Sequence, residues 1–316
     1  MKSKKQKYIL WFKEINAKDV ALVGGKNASL GEMLFQLTKK GISVPNGFAL
    51  TSQAYWYFIN KNNLKKKIEN ILRGLDINNV KNLQSRGRQL RELILKASIP
   101  SDLEKQVRKA YQKLCQQYGH NTDVAVRSSA TAEDLPTASF AGVHETFLNV
   151  RGEEELLKAC KKCLASLFTD RAISYREKGG FKHLKVALSV GVQQMVRSDK
   201  ASAGVIFTLD TETGFRNVIL INGSYGVGEI VVQGRVVPDE FFVFKPTLKQ
   251  GFRPIIIKNL GSKKRKLIYS KNGGLSQLKV AQKDRIKFCL SDEEVLTLAK
   301  WAQIIEEHYK IPQDIE

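Results

Sequence analysis

No apolar run in this 316-residue sequence is long enough to cross a bilayer, and cysteine, proline and histidine are scarce at 4, 7 and 4 residues. A membrane-spanning helix needs about 20 consecutive apolar residues. The N-terminus is basic from Lys2 to Lys7, but the apolar stretch behind it stops at Trp11 and Phe12, before the charged pair Lys13 and Glu14. That is too short for the apolar core of a signal peptide. We therefore expect a cytoplasmic protein with no membrane partner. Four cysteines do not make a disulfide framework in a chain of this size, which fits a reducing compartment. Cys160 and Cys163 form one C-x-x-C within Glu153–Phe168, where Leu156, Leu157, Cys160, Leu164 and Leu167 keep helical spacing. Without a second pair or suitably spaced histidines a zinc set is incomplete.

Acid is in short supply as well: 31 Asp and Glu stand against 52 Lys and Arg, a net charge of +21. Such a balance is a standard pointer to nucleic acid. The basic clusters Lys2–Lys7, Lys65–Lys67, Lys161–Lys162 and Lys263–Lys266 lie far apart, however, with no interleaved aromatic platform. The charge reads as solvated lysine faces and suits a polyanionic nucleotide; no nucleic acid partner is expected.

With 42% hydrophobic and 26% charged residues the chain can bury a sizeable core, and its length suits two domains or two lobes of one. A first strand is expected at Tyr8–Phe12. Asn27–Thr38 carries Leu30, Met33, Leu34 and Leu37 at amphipathic helical spacing, with Gly41 placed to stop it. Helix formers continue to about Tyr118. The texture then changes to short β-rich runs at Val124–Val126, Ala187–Val192, Gly204–Phe207, Asn217–Ile221 and Glu240–Phe244. A hairpin is expected at Lys258–Tyr269. Ser291–Tyr309 reads as a last helix, Ser291 and Glu294 standing at capping-box spacing. The pattern is α+β.

Four places can carry chemistry. At Gly24-Gly25-Lys26 two glycines free the backbone before a lysine and a helix start, so amide N–H groups and an ammonium can face phosphate; a tight turn feeding a helix explains the same residues, and Walker A spacing is absent. At Val124–Asp134 a strand delivers Arg127 into small hydroxyl residues, a setting for bidentate phosphate contact or for a salt bridge beside a cap. Gly223, Gly226 and Gly228 precede Glu229, which can hold ribose hydroxyls or a metal, or simply close a bulged hairpin. Asp314 and Glu316, two residues apart, share a face if extended and can meet one Mg²⁺; they also read as a frayed terminus.

The wording of these segments is more specific than their chemistry. Gly24–Met33, Val44–Phe48, Ala125–Asp134 and Ser139–Gly142 closely resemble the phosphoenolpyruvate synthases (pyruvate, water dikinases), and Asp170–Arg176, Gln194–Asp199 and Pro238–Phe241 extend the resemblance from about Tyr8 to Glu316. It implies a two-lobed ATP-grasp-type nucleotide-binding fold, with residues 1–195 as the N-terminal lobe plus a helical segment and 196–316 as the C-terminal lobe. Lys26 and Arg127 match the family's phosphate-binding lysine and arginine. Gly142 and Thr146 fall in the loop over the phosphates, and Gln194, Met195 and Val196 in the stretch that meets adenine. Glu229 matches the acid after the glycine-rich turn, and Asp314 with Glu316 the pair near Mg²⁺. Tyr225 and Val227 stand where the family is expected to have Trp and Leu.

In that family ATP and Mg²⁺ are positioned so that a histidine on a swivelling domain attacks the β-phosphorus, and a phosphoryl group then passes to pyruvate in a barrel domain. His120, His144, His183 and His308 lack the surroundings of that histidine. The resemblance also includes a Val-Gln-Ala-Arg-Pro segment not found here, so the phosphohistidine and pyruvate-binding domains, and the last strand of the second lobe, are expected to be absent. Pyruvate would be met only through those parts, and the isolated chain, as a homodimer or with a complementing chain, would be incomplete for turnover. The alternatives are the ATP domain of a rifampicin phosphotransferase or another dikinase, and a non-catalytic nucleotide-binding remnant.

Overall fold

Every strand among the described residues finds an antiparallel partner, and the chain divides into two compact units, Met1–Met195 and Val196–Glu316. A computed structural model describes residues 3–131, 145–270 and 273–316. Helices and antiparallel sheets are mixed in an α+β arrangement.

The first unit runs β1 (Ile9–Trp11), α1 (Val20–Gln36), β2 (Gly47–Leu50), α2 (Ser52–Lys61), α3 (Leu64–Leu72), α4 (Val80–Lys96) and α5 (Ser101–Tyr118), then β3 (Val124–Ala130), β4 (Thr146–Val150), α6 (Glu153–Ser166), α7 (Asp170–Lys178) and β5 (Leu188–Gln194). Its sheet has the order β1-β2-β5-β3-β4. Directly paired residues of antiparallel strands place their side chains on one face. The pairs Leu10 with Ala49, Ala49 with Gly191, Gly191 with Arg127 and Arg127 with Thr146 therefore form a row across all five strands. Leu10 and Ala49 pack with Leu22, Val23 and Ala28, so this is the face that α1 covers. The opposite face sends Phe48, Leu50, Val126, Val190 and Val192 into a larger core with the remaining helices. Burying each such side chain contributes about 1.5–3 kcal/mol.

The helix expected at Asn27–Thr38 starts earlier, at Val20, and contains a kink: Gly24 has φ 75° and ψ 164°, non-helical values that let a first turn precede the glycine pair. Of the residues that periodicity marks, Leu37 is fully buried, Leu30 and Leu34 pack half-buried against the core around Leu10 and Ala49, and Met33 is half-buried too. Gly24, Gly25, Asn27, Ala28 and Gly31 are buried as well, because small residues let α1 lie close to its neighbours. A Cβ on Gly31 would stand 2.6 Å from the Cβ of Ile15.

The second unit runs β6 (Ser202–Phe207), β7 (Val218–Tyr225), α8 (Glu229–Val232), β8 (Asp239–Phe244), α9 (Lys245–Lys249) and β9 (Ile255–Asn259), then β10 (Arg265–Tyr269), β11 (Leu275–Lys279), α10 (Gln282–Arg285), α11 (Asp292–Tyr309) and β12 (Asp314–Ile315). Its main sheet is ordered β12-β6-β7-β8-β9, and α11 packs Val295, Leu296, Ala299 and Ala302 against Ile219, Ile221, Phe241 and Val243. Ser291 caps α11 in the expected capping box: its Oγ accepts from the Glu294 N–H, while Glu294 Oε2 accepts from the Ser291 N–H at 2.7 Å. The hairpin expected at Lys258–Tyr269 is not formed. Its two ends belong to different sheets, β9 to the main one and β10 to a separate pair with β11. Between them Lys263, at φ 38° and fully buried, turns the chain inward to pair with Asp239, so β10 meets the strand that follows it.

Candidate functional site

Of the residues expected to meet phosphate, Arg127 and Thr146 lie on the face of the first sheet that α1 covers, and Lys26 lies on α1. Gly24 is pressed onto β3: a Cβ there would stand 2.2 Å from Ser129 Oγ and 2.7 Å from the Ser129 carbonyl oxygen. Only glycine permits both that approach and its backbone conformation. Ser129 lies two residues from Arg127 and so on the same face. Asn27, one residue beyond Lys26, ties the kink down. Its Nδ2 donates to the Val23 carbonyl at 3.0 Å and to Ser189 Oγ at 3.1 Å, and Ser189 Oγ donates to the Leu50 carbonyl at 2.6 Å. Across the strand a Cβ on Gly191 would stand 2.2 Å from Asn27 Oδ1, so a glycine opposite Arg127 leaves room for the amide.

Lys26, on α1, is exposed and Arg127, on the sheet, is half-buried, and no carboxylate pairs with Arg127 among the described residues. Thr146, at the start of β4, is the direct partner of Arg127 and is exposed. Just before it, the Ser128 N–H donates to the Glu145 carbonyl at 3.1 Å and the Glu145 N–H donates back to Ser128 Oγ at 3.0 Å, fixing where β4 begins. A guanidinium and a hydroxyl thus share one face of one sheet, with a lysine on the helix that packs there, residue types suited to a multiply charged anion. Gly142, with Ser139, Phe140, Ala141, Glu133, Asp134 and His144, lies outside the described residues.

At the end of β5 the Gln194 and Met195 N–H groups donate to the Asn46 and Asp123 carbonyls, both at 3.0 Å. The Asn149 N–H points at Met195 Sδ, 2.9 Å away, which holds that side chain in place. Both backbone N–H groups of Gln194–Met195 are therefore committed within the fold. Val196 is exposed, and its carbonyl accepts from the Tyr269 hydroxyl at 2.7 Å.

In the second unit Glu229 begins α8, half-buried, and its Oε1 accepts from Gln233 Nε2 at 2.7 Å. Asp314 pairs with Phe207 at one end of β6, whereas Gly228, beside Glu229, packs on Ala203 near the other end. Four residues of strand separate them by about 13 Å. Asp314 and Glu316 flank the inward-packed Ile315 and are both exposed. Thr208 pins them: its N–H donates to the Gln313 carbonyl at 3.0 Å, and its Oγ1 accepts from the Gln313 N–H at 2.7 Å. The Asp314 carboxyl is pushed up from its ordinary value, first by partial burial and then by the charge of Glu316. A cation between the two would relieve that repulsion. Among the described residues no three His, Cys, Asp or Glu side chains gather as a metal set, so an ion at this pair needs oxygens from a ligand or water.

Elsewhere, Cys160 and Cys163 are buried in the core of the first unit, with burial pushing the Cys160 thiol up to about 12. Neither is suited to redox or metal chemistry. His183 bridges two charges: Arg176 Nε donates to its Nδ1 at 2.9 Å, and its Nε2 meets Glu177 Oε1 at 2.7 Å. His308 stacks edge-on against Tyr309, and His120 is exposed. No local pattern announces the Asn27–Ser189 clamp, whose halves lie 162 residues apart, or the fully buried Asp239–Lys263 pair. Asp239 also accepts from the Gly261 and Cys289 N–H groups, at 2.8 and 2.7 Å.

No helix among the described residues is long and apolar enough to cross a membrane. Comparison with known proteins supplies the context for this geometry. The phosphoenolpyruvate synthase of Synechocystis sp. is 56% identical over 321 residues, covering 98% of this chain and 39% of that protein. The phosphoenolpyruvate synthase of Aquifex aeolicus is 53% identical, covering 99% of this chain and 38% of its own length. The probable phosphoenolpyruvate synthase of Methanocaldococcus jannaschii is 43% identical, covering 100% of the chain and 26% of its own length. The chain thus spans about two fifths of the length of the first two relatives. The family profile described as "Pyruvate phosphate dikinase, AMP/ATP-binding domain" matches residues 20–316, and with 297 of 316 positions matched the chain belongs to that family.

Proposed function

We propose that this chain is the ATP-binding portion of a phosphoenolpyruvate synthase, built as an ATP-grasp-type module whose task is to hold Mg·ATP for phosphoryl transfer. The observation that carries the reading is the row Gly191–Arg127–Thr146, overlain by the kinked, lysine-bearing start of α1. Lys26 and Arg127 neutralise the phosphates, Arg127 as a planar fork and Lys26 as a point charge. The Thr146 hydroxyl adds a neutral donor, and Gly142 is assigned to the covering loop from the family resemblance. Met195 offers an apolar wall to the adenine, with the Gln194 and Met195 carbonyls accepting from its amino group and Val196 lying at its edge. Glu229 faces the ribose hydroxyls.

Asp314 and Glu316 suit Mg²⁺, which is commonly bound through one or two carboxylates, substrate phosphates and water. When bound, the ion neutralises charge on the phosphates. This chain's own contribution is positioning and electrostatics: fixed donors at the phosphates cost no reorganisation during reaction. In the whole protein we propose the overall reaction ATP, pyruvate and water to AMP, phosphoenolpyruvate and phosphate, with the histidine nucleophile and the pyruvate site supplied outside this sequence. His183 is held between Arg176 and Glu177, which supports assigning the nucleophile elsewhere. The test is calorimetric titration with Mg·ATP. Saturable binding that Arg127→Ala abolishes supports the reading, and equal binding by the variant contradicts it.

A further inference from the structure

A cleft of about 350 Å³ lies between β1 and α5, lined by Lys7, Tyr8, Ile9, Trp11, Lys109 and Lys113 among others. It is not part of the Lys26–Arg127 face. Leu10 packs against α1, so its strand neighbours Ile9 and Trp11 turn to the opposite side of the sheet, where α5 packs. The volume is within the usual range for small-molecule sites.

The charge in this cleft is one-sided. None of its lining residues is acidic, and three are lysines. Acids are nevertheless close by on α5 and α6, where Arg108 collects Glu104, Glu153 and Glu154 at 2.7, 2.9 and 2.6 Å. The next residue, Lys109, and Lys113 one turn on, are exposed and have no carboxylate within ion-pair distance among the described residues; Lys7 alone has one, Glu14 at 2.7 Å. The walls are aromatic. Tyr8 is held by stacking on Tyr57 with ring centroids 4.7 Å apart, and the Lys113 ammonium rests over the Trp11 ring at 5.4 Å. A cation on an indole face is weakly held and moves readily to a phosphoryl oxygen, which is a far stronger acceptor. That movement uncovers a ring on which a planar base can stack.

We propose that this cleft is a second ligand site, taking a phosphomonoester with a planar ring, of which a purine mononucleotide is the type. Lys109 and Lys113 take the phosphoryl group, and Trp11 the ring. The test uses the full chain labelled with ¹⁵N at tryptophan, titrated with GMP while the Trp11 indole N–H signal is followed. Inorganic phosphate serves as a second titrant, and thermal melts verify folding of each variant. The expected result is a saturable Trp11 shift, with an apparent Kd raised roughly tenfold or more in the Lys109→Glu, Lys113→Glu double variant, since two charge-assisted contacts are lost. Phosphate alone should bind more weakly than GMP, and Lys26→Ala should leave the Trp11 titration unchanged. Absence of a saturable shift overturns the proposal, as does phosphate binding as tightly as GMP. A titration lost in Lys26→Ala but retained in the double variant would place the ligand at the α1 face and equally overturn it.

Discussion

Replacing Gly24 with alanine separates the kink in α1 from the rest of the helix. At φ 75° and ψ 164° the residue sits in a region essentially reserved for glycine, which costs an alanine about 1–3 kcal/mol. The added Cβ would also stand 2.2 Å from Ser129 Oγ and 2.7 Å from the Ser129 carbonyl oxygen. The hydroxyl can rotate away but the carbonyl belongs to β3, so overpacking adds about 1–3 kcal/mol. The sum is about 4 kcal/mol, equivalent to roughly 8–16 °C in Tm for a unit of this size. Gly41 supplies the control: its φ is 82°, but a Cβ there meets nothing within 4 Å. Gly41→Ala should therefore cost only the conformational strain of about 1 kcal/mol. The assay is a pair of thermal melts followed by Mg·ATP titration. Gly24→Ala should melt well below Gly41→Ala and, by lifting Lys26 off the sheet face, lose nucleotide affinity that Gly41→Ala keeps. Equal melting temperatures would refute the claimed contact with Ser129.

Lys263→Met leaves Asp239 buried without its cation, and urea melts should show a loss of about 3–5 kcal/mol; the double variant Lys263→Met, Asp239→Asn should recover part of it. Because Arg176 Nε only donates, His183 Nδ1 accepts and the ring proton is on Nε2, facing Glu177; burial and then the Arg176 charge push the His183 pKa down. Below the unfolded value of about 6.5 the unfolded chain takes up a proton that the native one refuses, so stability falls as pH drops toward the lower native pKa. His183→Gln, which keeps an acceptor and a donor, should flatten that slope in urea melts at pH 7.5 and 5.5, and an unchanged slope would sink the assignment. Cys160→Ser should lower stability by about 1–3 kcal/mol, through a hydroxyl buried among Leu156 and Leu164, while nucleotide affinity stays put; lost affinity would contradict the structural role.

Patterns local in sequence were legible, and those depending on distant partners were not. The capping box of α11 and the strands Val124–Ala130 and Leu188–Gln194, expected at Val124–Val126 and Ala187–Val192, follow from residues within a few positions of one another. So does the i, i+2 placement of Asp314 and Glu316, once an extended backbone is assumed. The start of α1 was misplaced because two glycines read as a helix boundary, whereas in the fold a single positive φ at Gly24 is absorbed inside the helix by close contact with β3. β10 was paired with the wrong strand because nothing near Lys263 announces a buried partner 24 residues away. The same holds within the site. Lys26 and Arg127 were singled out by residue type, but the seating of the lysine-bearing helix on the sheet that carries Arg127 depends on Gly191 and Ser189 receiving Asn27. That is a tertiary fact with no local signal.

Calorimetric titration of the chain with Mg·ATP, alongside Arg127→Ala and Lys26→Ala and across a salt series, tests the central claim most directly. The account predicts saturable binding by the parent chain and strong weakening in both variants, each of which remains folded because neither side chain is buried. Binding unchanged by either substitution, or no binding by the folded parent, would contradict the assignment of the α1 face as the phosphate site.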